Sequence, residues 1–483
     1  MAIPALESTK IGLGYWMQQA LNHVEWAAST FSPEAVHDLR TALRRCRSIA
    51  DGVTAFDADS RWKKMKKAGK QVFQSLGELR DTHVLLDWIE KLAPECDSTS
   101  KTLQTFLQRK GEDLKARALV VLREFDRDRW NTWSAELPAR IAQLPADSPL
   151  LGHLALERWF EARELHHRAL RNRTNVALHD LRIGIKRFRY TIENFLPALH
   201  EFWGADLKEV QDALGDVHDL DVLWTTATAL NAFSDASSRE AWRRGIYSVR
   251  MERLDLYRNL MIGRSSLWKT WRAALPKAEQ LHNLGLLRLE RWAGSLDPDV
   301  RHSRHVVHLA LQLFDGISAP SFIQHREKYR SLLKAAALMH DVGLAKCNKG
   351  HHKESARVIR NLRVPLGWSS DEIEQAALVV RYHRGALPCE THKRFSKLSQ
   401  RKRETVKFLG GLLRLACACD AEHNAQIRNL EVNTTLPVLN IRAQGYGSEG
   451  PIAQRLASAR CLLELAFERP VFIAPESGAL KII

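Results

Sequence analysis

The strongest constraint on the fold is an internal repeat. The segment HDLRTALRRCR carries His37, Arg40, Arg44, Arg45 and Arg47, and it returns as HDLRIGIKRFR with His179, Arg182, Lys186, Arg187 and Arg189 in the same register. On a helix, positions i, i+3, i+7 and i+10 fall within one arc of roughly 80°. His37, Arg40, Arg44 and Arg47 occupy that arc, as do His179, Arg182, Lys186 and Arg189. Leu39, Leu43 and Cys46, or Leu181, Ile185 and Phe188, point to a different sector and are predicted to face a core. Stacked like charges weaken an isolated helix, so a bound anion is the simplest reason for them. Two copies predict a duplicated helical unit that presents one cationic surface twice.

The duplication continues downstream. KQVFQSLGELRD, from Lys70 to Asp81, is answered by KEVQDALGDVHD, from Lys208 to Asp219, and Val84-Leu85 by Val222-Leu223. The spacing from histidine to Leu-Gly differs between copies by about one helical turn. Each half therefore reads as a helical hairpin or bundle, the two packing pseudo-symmetrically.

At 483 residues the chain predicts two or three domains, and 45% hydrophobic residues allow sizeable cores. A net charge of +16 favours a polyanionic partner. Seven cysteines form no Cys-x-x-Cys pair, which suggests reduced thiols in a cytoplasmic chain. The first residues, MAIPALESTKIGLG, lack the pattern of a leader, and no apolar run reaches membrane-spanning length. No base-reading signature accompanies the charge, so sequence-specific nucleic acid is not expected as a partner.

Helical periodicity runs through two repeats, about 15–145 and 151–260, separated by a break marked by Pro138, Pro145 and Pro149. Arg61, Lys63, Lys64, Lys66, Lys67 and Lys70 crowd a stretch without acids. Residues 266–287 read as a connector. From 288 to 435 histidines cluster on apolar helices. Residues 436–483 complete a small α/β element, with strands predicted in LEVNTTLPVLNIRAQGYG and PVFIA around a helix. The expected fold class is mainly α: two pseudo-symmetric bundles, an all-α domain, and a small β element.

The doubled His-x-x-Arg helix, each copy followed by Leu-Gly-x-x-x-Asp, resembles the CHAD family, the conserved histidine α-helical domain, over about residues 10–265. The resemblance implies helical bundles around a basic cavity that binds inorganic polyphosphate. The candidate contacts in the first copy are His37, Arg40, Arg44, Arg45, Arg47, Lys63, Lys66, Lys67, Lys70 and Arg80. Those in the second are His179, Arg182, Lys186, Arg187, Arg189, Tyr190 and Lys208. Polyphosphate has no bases to read, so its receptor needs many cations, with arginine forks gripping phosphoryl oxygens. A histidine beside a polyanion can have its pKa raised. His218 departs from the first copy, standing where Arg80 does, and should modulate the rim of the site.

In the C-terminal half, RHSRHVVHLALQLF, LMHDVGLAK, KGHHKE and VVRYHRGALP place His302, His340-Asp341, His351-His352 and His383 on successive segments. Imidazoles and a carboxylate suit a divalent metal such as Mn, Mg, Fe or Zn, which would activate water toward a phosphoester. This pattern resembles the HD superfamily of phosphohydrolases, closest to the helical domain of the exopolyphosphatase/guanosine pentaphosphate phosphohydrolase family. The resemblance implies His302 as first ligand, with His305 the alternative, and His340 and Asp341 as the signature and catalytic pair. His351 or His352 joins His383 at a second ion, with His352 the preferred candidate. Where the HD pattern closes on aspartate after Leu-Arg-x-Ala, this chain has Cys417; Asp420, one turn on, is the substitute candidate, with Cys417 as a thiolate ligand to a softer metal the lesser alternative.

Two functions follow. One is a polyphosphate-binding protein, cytoplasmic and associated with polyphosphate granules, whose HD-like domain is accessory. The other is a metal-dependent phosphohydrolase of polyphosphate, a nucleotide or another phosphorylated substrate, with the CHAD-like half as a polyanion-docking module. Cys417 and the lack of a glycine-rich phosphate loop weigh against catalysis.

Overall fold

The computed structural model describes residues 12–93, 97–317, 323, 325–435, 438–447 and 449–476. Residues 1–11, on which the argument against a leader chiefly rests, lie outside that set, as do Cys96 and residues 436–437 of the expected strand segment. The described residues form two compact units. One comprises residues up to Thr54 and Asp59–Lys277; the other comprises Ala55–Ala58 and residues from Ala278 onward. No helix among the described residues is long and apolar enough to cross a membrane.

The first unit is built from α1 (Leu13–Thr30), α2 (Pro33–Val53), α3 (Ser60–Ser75), α4 (Gly77–Leu92), α5 (Ser98–Arg123) and α6 (Arg127–Ala142). The second repeat supplies α7 (Pro149–Asn172), α8 (Asn175–Phe195), α9 (Pro197–Ala229) and α10 (Ala236–Met261), and α11 (Leu267–Ala273) follows it. The two cationic helices, α2 and α8, start by the same device. Ser32 Oγ accepts from Ala35 N and Thr174 Oγ1 from Ala177 N, each at 3.2 Å, so the cap is part of the repeat. Leu39, Leu43 and Cys46, and Leu181, Ile185 and Phe188, are all buried. Helix α2 packs on α1, and α8 on α7 and α9; α2 and α8 also pack on each other. Glycine permits the close approaches. A Cβ on Gly52 of α2 would lie 2.5 Å from the Phe195 ring of α8, and one on Gly184 of α8 would lie 2.7 Å from Leu165 of α7.

The copies differ after the cationic helix. In the first, the helix breaks at Leu76, which ends α3 and begins α4. In the second, Leu214-Gly215 runs through the 33-residue α9 without a break. Pro138 does not mark the inter-repeat break. It lies inside α6, its ring 3.5 Å from where a Gly14 Cβ would stand on α1, and the helix ends only at Ala142. The stretch expected to be a connector contains α11, whose Trp268 and Trp271 are buried; Trp271 packs on Phe188 with ring centroids 5.4 Å apart. Aromatic burial outweighs the turn residues that flank it.

The second unit contains α12 (Leu281–Gly294), α13 (Val300–Gly316), α14 (Arg326–Leu338), α15 (His351–Arg360), α16 (Ser370–Tyr382), α17 (Lys393–Ser396) and α18 (Gln400–Cys419). It closes with β1 (Leu430–Thr435), β2 (Val438–Ala443), α19 (Pro451–Ala459), α20 (Cys461–Phe467) and β3 (Val471–Pro475). β1 pairs antiparallel with β2, which pairs parallel with β3. The parallel pairing needs a crossover, supplied by α19 and α20. Helix α18 packs against α13, α16 and α20. A Cβ on its Gly411 would lie 2.9 Å from the Leu463 backbone, so α18 and α20 meet main chain to main chain.

Candidate functional site

In the first unit the two cationic stripes share a neighbourhood. Burial, then Arg182, Arg44 and Arg40, bring the Lys186 ammonium down to about 7, with Asp219 opposing. Since Arg40 and Arg44 belong to α2 and Lys186 to α8, the copies act on one another across the helix pair. Burial brings Arg40 down to about 10, with Arg44 and Arg80 adding and Asp81 opposing. His37 is pushed below its ordinary value by burial and by Arg80 and Arg44. Burial, Arg182 and His179 bring His218 down to about 4, its ring centroid 4.9 Å from that of His179. Without an anion present, these histidines are driven toward the neutral form. A concentration of cations that depress one another's pKa is a field that an anion would relieve.

Individual side chains divide into groups. Arg40 donates to Phe73 O at 2.7 Å, and its guanidinium sits 4.1 Å over the Phe73 ring. That carbonyl lies in the last turn of α3, where the break at Leu76 leaves acceptors open. Gly77 makes room, since a Cβ there would stand 3.3 Å from the guanidinium. The counterpart Arg182 and the stripe residue Arg44 both have a buried Nε without a hydrogen-bond partner among the described residues. Arg45 is committed to packing: it pairs with Glu193, donates to Asn194 at 3.4 Å, and lies over Trp16 and Tyr190. Tyr190 is buried between Arg44 and Arg45.

The remaining expected contacts lie further out. Arg47 is 4.0 Å from Asp51, which also pairs with Lys66. Arg189 Nε is 3.9 Å from Glu193, and Lys208 pairs with Asp212 at 2.7 Å. Lys63, Lys67, Lys70 and Arg187 are exposed. Helix α3 splits its lysines: Lys66 and Lys70 lie beside Arg47, whereas Lys64 and Lys67 line a separate cleft with Arg129 and Trp133. Two acids that sequence reasoning left without a role, Asp81 and Asp219, share the cationic neighbourhood. Burial, with Asp81 and Asp216, raises Asp219 to about 6 against Arg182 and Lys186. The signal was the Leu-Gly-x-x-x-Asp ending both motifs.

The second unit gathers histidines that are distant in sequence. Asp299 caps α13, accepting from His302 N at 3.1 Å. His340 and Asp341 follow α14, in a turn held against α15 where Gly343 N donates to Ser355 Oγ at 2.9 Å. Only glycine fits there, because a Cβ would fall 2.5 Å from Ser355 N. This brings Asp341 to His351, the first residue of α15. His383 caps α16, and Cys417 lies in the last turn of α18.

The rings are oriented by what their Nδ1 atoms meet. Nδ1 of His340, His351 and His383 donates to the carbonyls of Ala337, Asn348 and Val380 at 2.8, 3.1 and 2.6 Å. His302 Nδ1 donates to Asp420 Oδ2 at 2.8 Å. Each Nε2 is thereby left with a lone pair toward the centre. His302 Nε2 and His340 Nε2 face each other at 3.4 Å, an arrangement that calls for a cation. Asp341 lies between two groups: Oδ2 is 3.4 Å from His340 Nε2 and 3.8 Å from His302 Nε2, whereas Oδ1 is 3.4 Å from His351 Nε2. His383 Nε2 and Asp341 Oδ1 are buried without a hydrogen-bond partner among the described residues.

Two sets of ligand atoms lie within 4.8 Å of one another: His302, His340 and Cys417, and Asp341, His351 and His383. Of the expected metal residues, His302, His340, Asp341 and His383 are there. Asp420 is in neither set; it holds the far side of His302 and accepts from Ala425 N. His352 is also in neither set, His351 standing in the place open to either. His305 points elsewhere, its Nε2 2.8 Å from Ile427 O. Cys417, which the sequence ranks behind Asp420, is in the first set; His423 was not assigned from sequence, and it stacks on His302 at 3.7 Å and donates to Asp299 at 2.8 Å. The donor set fits a metal ion, with lone pairs preset and partnerless buried atoms facing inward.

Comparison with known proteins yields two family matches, a CHAD domain over residues 16–228 and a Ppx/GppA phosphatase, domain III, over residues 289–443. Among solved structures, the crystal structure of the CHAD domain from the plant Ricinus communis is 20% identical, with a TM-score of 0.38. That similarity covers 55% of this chain and 90% of the plant one.

Proposed function

We propose that this chain, which joins a CHAD domain to a Ppx/GppA phosphatase domain III, binds inorganic polyphosphate in the basic neighbourhood between α2 and α8. The observation that carries the proposal is the packing of α2 on α8, which sets Arg40 and Arg44 of one copy close enough to the half-buried Lys186 of the other to add to the lowering of its pKa by burial and Arg182. Arg182 and Arg44, with unpartnered Nε atoms, are the principal phosphate contacts; Arg80, His37 and His179 line the rim. Arg45 and Tyr190 set the geometry of Arg44. Lys66 and Lys70 of α3, with Arg47 of α2 beside them, extend the charge.

Neutralising about six phosphates predicts a log–log salt slope near roughly −4, by analogy with single-stranded nucleic acid. Replacing Arg40, Arg44, Arg182 and Lys186 together by alanine should abolish binding of long-chain polyphosphate in a filter or calorimetric assay. Retained affinity or a flat salt response would overturn the proposal. Such a protein would reside on polyphosphate granules.

The histidine cluster supports a second role, with His302, His340, Asp341, His351, His383 and Cys417 as holders of divalent metal. Metal bound there would supply Lewis acidity toward a phosphoryl group. The Nδ1 contacts keep the rings aimed, Asp420 fixes His302, and Asp341 reaches both ligand groups. This favours metal-dependent hydrolysis of polyphosphate or another phosphorylated substrate over a purely accessory domain. Phosphate release in Mn²⁺ or Mg²⁺ should then be lost in Asp341→Asn; no release from the intact chain would leave the accessory role.

A further inference from the structure

We propose that Cys417 binds metal as a thiolate, making the pocket it shares with His302 and His340 a site for one tightly held zinc-class ion. The inference rests on the reading that the histidine cluster holds metal, and adds which ion it selects and through which atom.

Geometry carries it. Tetrahedral zinc with bonds of about 2.0–2.3 Å sets ligand atoms roughly 3.3–3.7 Å apart. His302 Nε2 and His340 Nε2 are 3.4 Å apart, and Asp341 Oδ2 is 3.4 and 3.8 Å from them. Cys417 Sγ completes a set in which the Cys417, His302 and His340 donor atoms lie within 4.8 Å of one another. The two nitrogens and the carboxylate oxygen thus stand at about the separations one tetrahedral ion needs, with Cys417 Sγ as the fourth donor beside both nitrogens.

The neighbouring set, Asp341, His351 and His383, contains no sulfur. Asp341 thus divides a softer pocket from a harder one, and soft ligands select zinc-class ions over manganese or magnesium. The adjoining set carries an independent sign that the cluster is built for ligands. His383 Nε2 and Asp341 Oδ1 are buried without hydrogen-bond partners among the described residues. His302 is held on its far side by Asp420 and stacked by His423. Cysteine is often an inert core residue, and Cys419, two positions on and buried in the apolar cluster, is one. Cys417 differs in placing its Sγ within 4.8 Å of the His302 and His340 ligand nitrogens.

The test uses the full-length reduced protein loaded with Co²⁺, whose bond to sulfur gives a near-ultraviolet charge-transfer band. The wild type and Cys389→Ser, which removes an exposed thiol, should show the band. Cys417→Ser and Cys417→Asp should lose it. Zinc affinity in Cys417→Ser should fall at least 10- to 100-fold, the loss typical of removing even an outer partner of a ligand. Cys417→Asp, which keeps a donor in place, should shift preference toward manganese. Cobalt bound by the wild type without the band would overturn the thiolate assignment while leaving the metal reading intact. Failure to bind zinc or cobalt at all would overturn both. Should the Cys417 variants fold poorly, the wild-type and Cys389→Ser spectra decide between these outcomes.

Discussion

Of the stripe residues Lys186 and Arg40, Lys186 is the one brought down to near neutral pH. Burial and the arginines around it bring its ammonium down to about 7. A lysine with a lowered pKa is cationic below that value and neutral above it, so the anion-binding form is lost as pH rises through about 7. Asp219, raised to about 6, works in the same direction: protonation on acidification removes a negative charge from the neighbourhood. Polyphosphate affinity should therefore fall with rising pH, by at most about tenfold per pH unit for each linked proton. Binding above pH 7 should take up protons, measurable by calorimetry in buffers of different ionisation enthalpy. Lys186→Arg should flatten the profile between pH 6 and 8, to about the response left by Asp219 and the histidines. The doubled stripe made this lysine visible in sequence; its altered acidity was not, because that depends on burial and on charges from the other copy.

At the scale of elements, the break between α3 and α4 separates two arginines that the repeat presents as equivalent. Arg40 donates to the Phe73 carbonyl that the break leaves open, whereas α9 is continuous opposite Arg182. Arg40→Ala should cost about 1–3 kcal/mol of stability, the penalty of stranding a part-buried acceptor, read by urea unfolding. Arg182→Ala should stay within about 0.5 kcal/mol while weakening polyphosphate binding more than Arg40→Ala does. Both helices, their register and the apolar faces under them were legible from periodicity alone. The break was not, since Leu-Gly reads alike in both copies and neighbouring helices decide whether the helix continues. Pro138 misled for a similar reason: its ring packs toward α1 within an intact α6.

Across the whole molecule, the repeat could be read because duplication shows which segments correspond, and correspondence predicts pairing. The histidine cluster offered no such guide. His302 meets Asp420 over 118 positions, and nothing in the spacing says which imidazole of His351-His352 turns inward or that Cys417, not Asp420, faces the centre. Those choices follow from how α13, α14, α16 and α18 pack. The backbone contact of α18 with α20 at Gly411 has a consequence in time. During synthesis, at roughly 5–20 residues per second, α20 emerges seconds after α18. Until it does, the helix bearing Cys417 can pack on α13 and α16 but lacks the surface it shares with α20. The histidine cluster should therefore reach its final packing only after the last-made helix of the second unit has emerged.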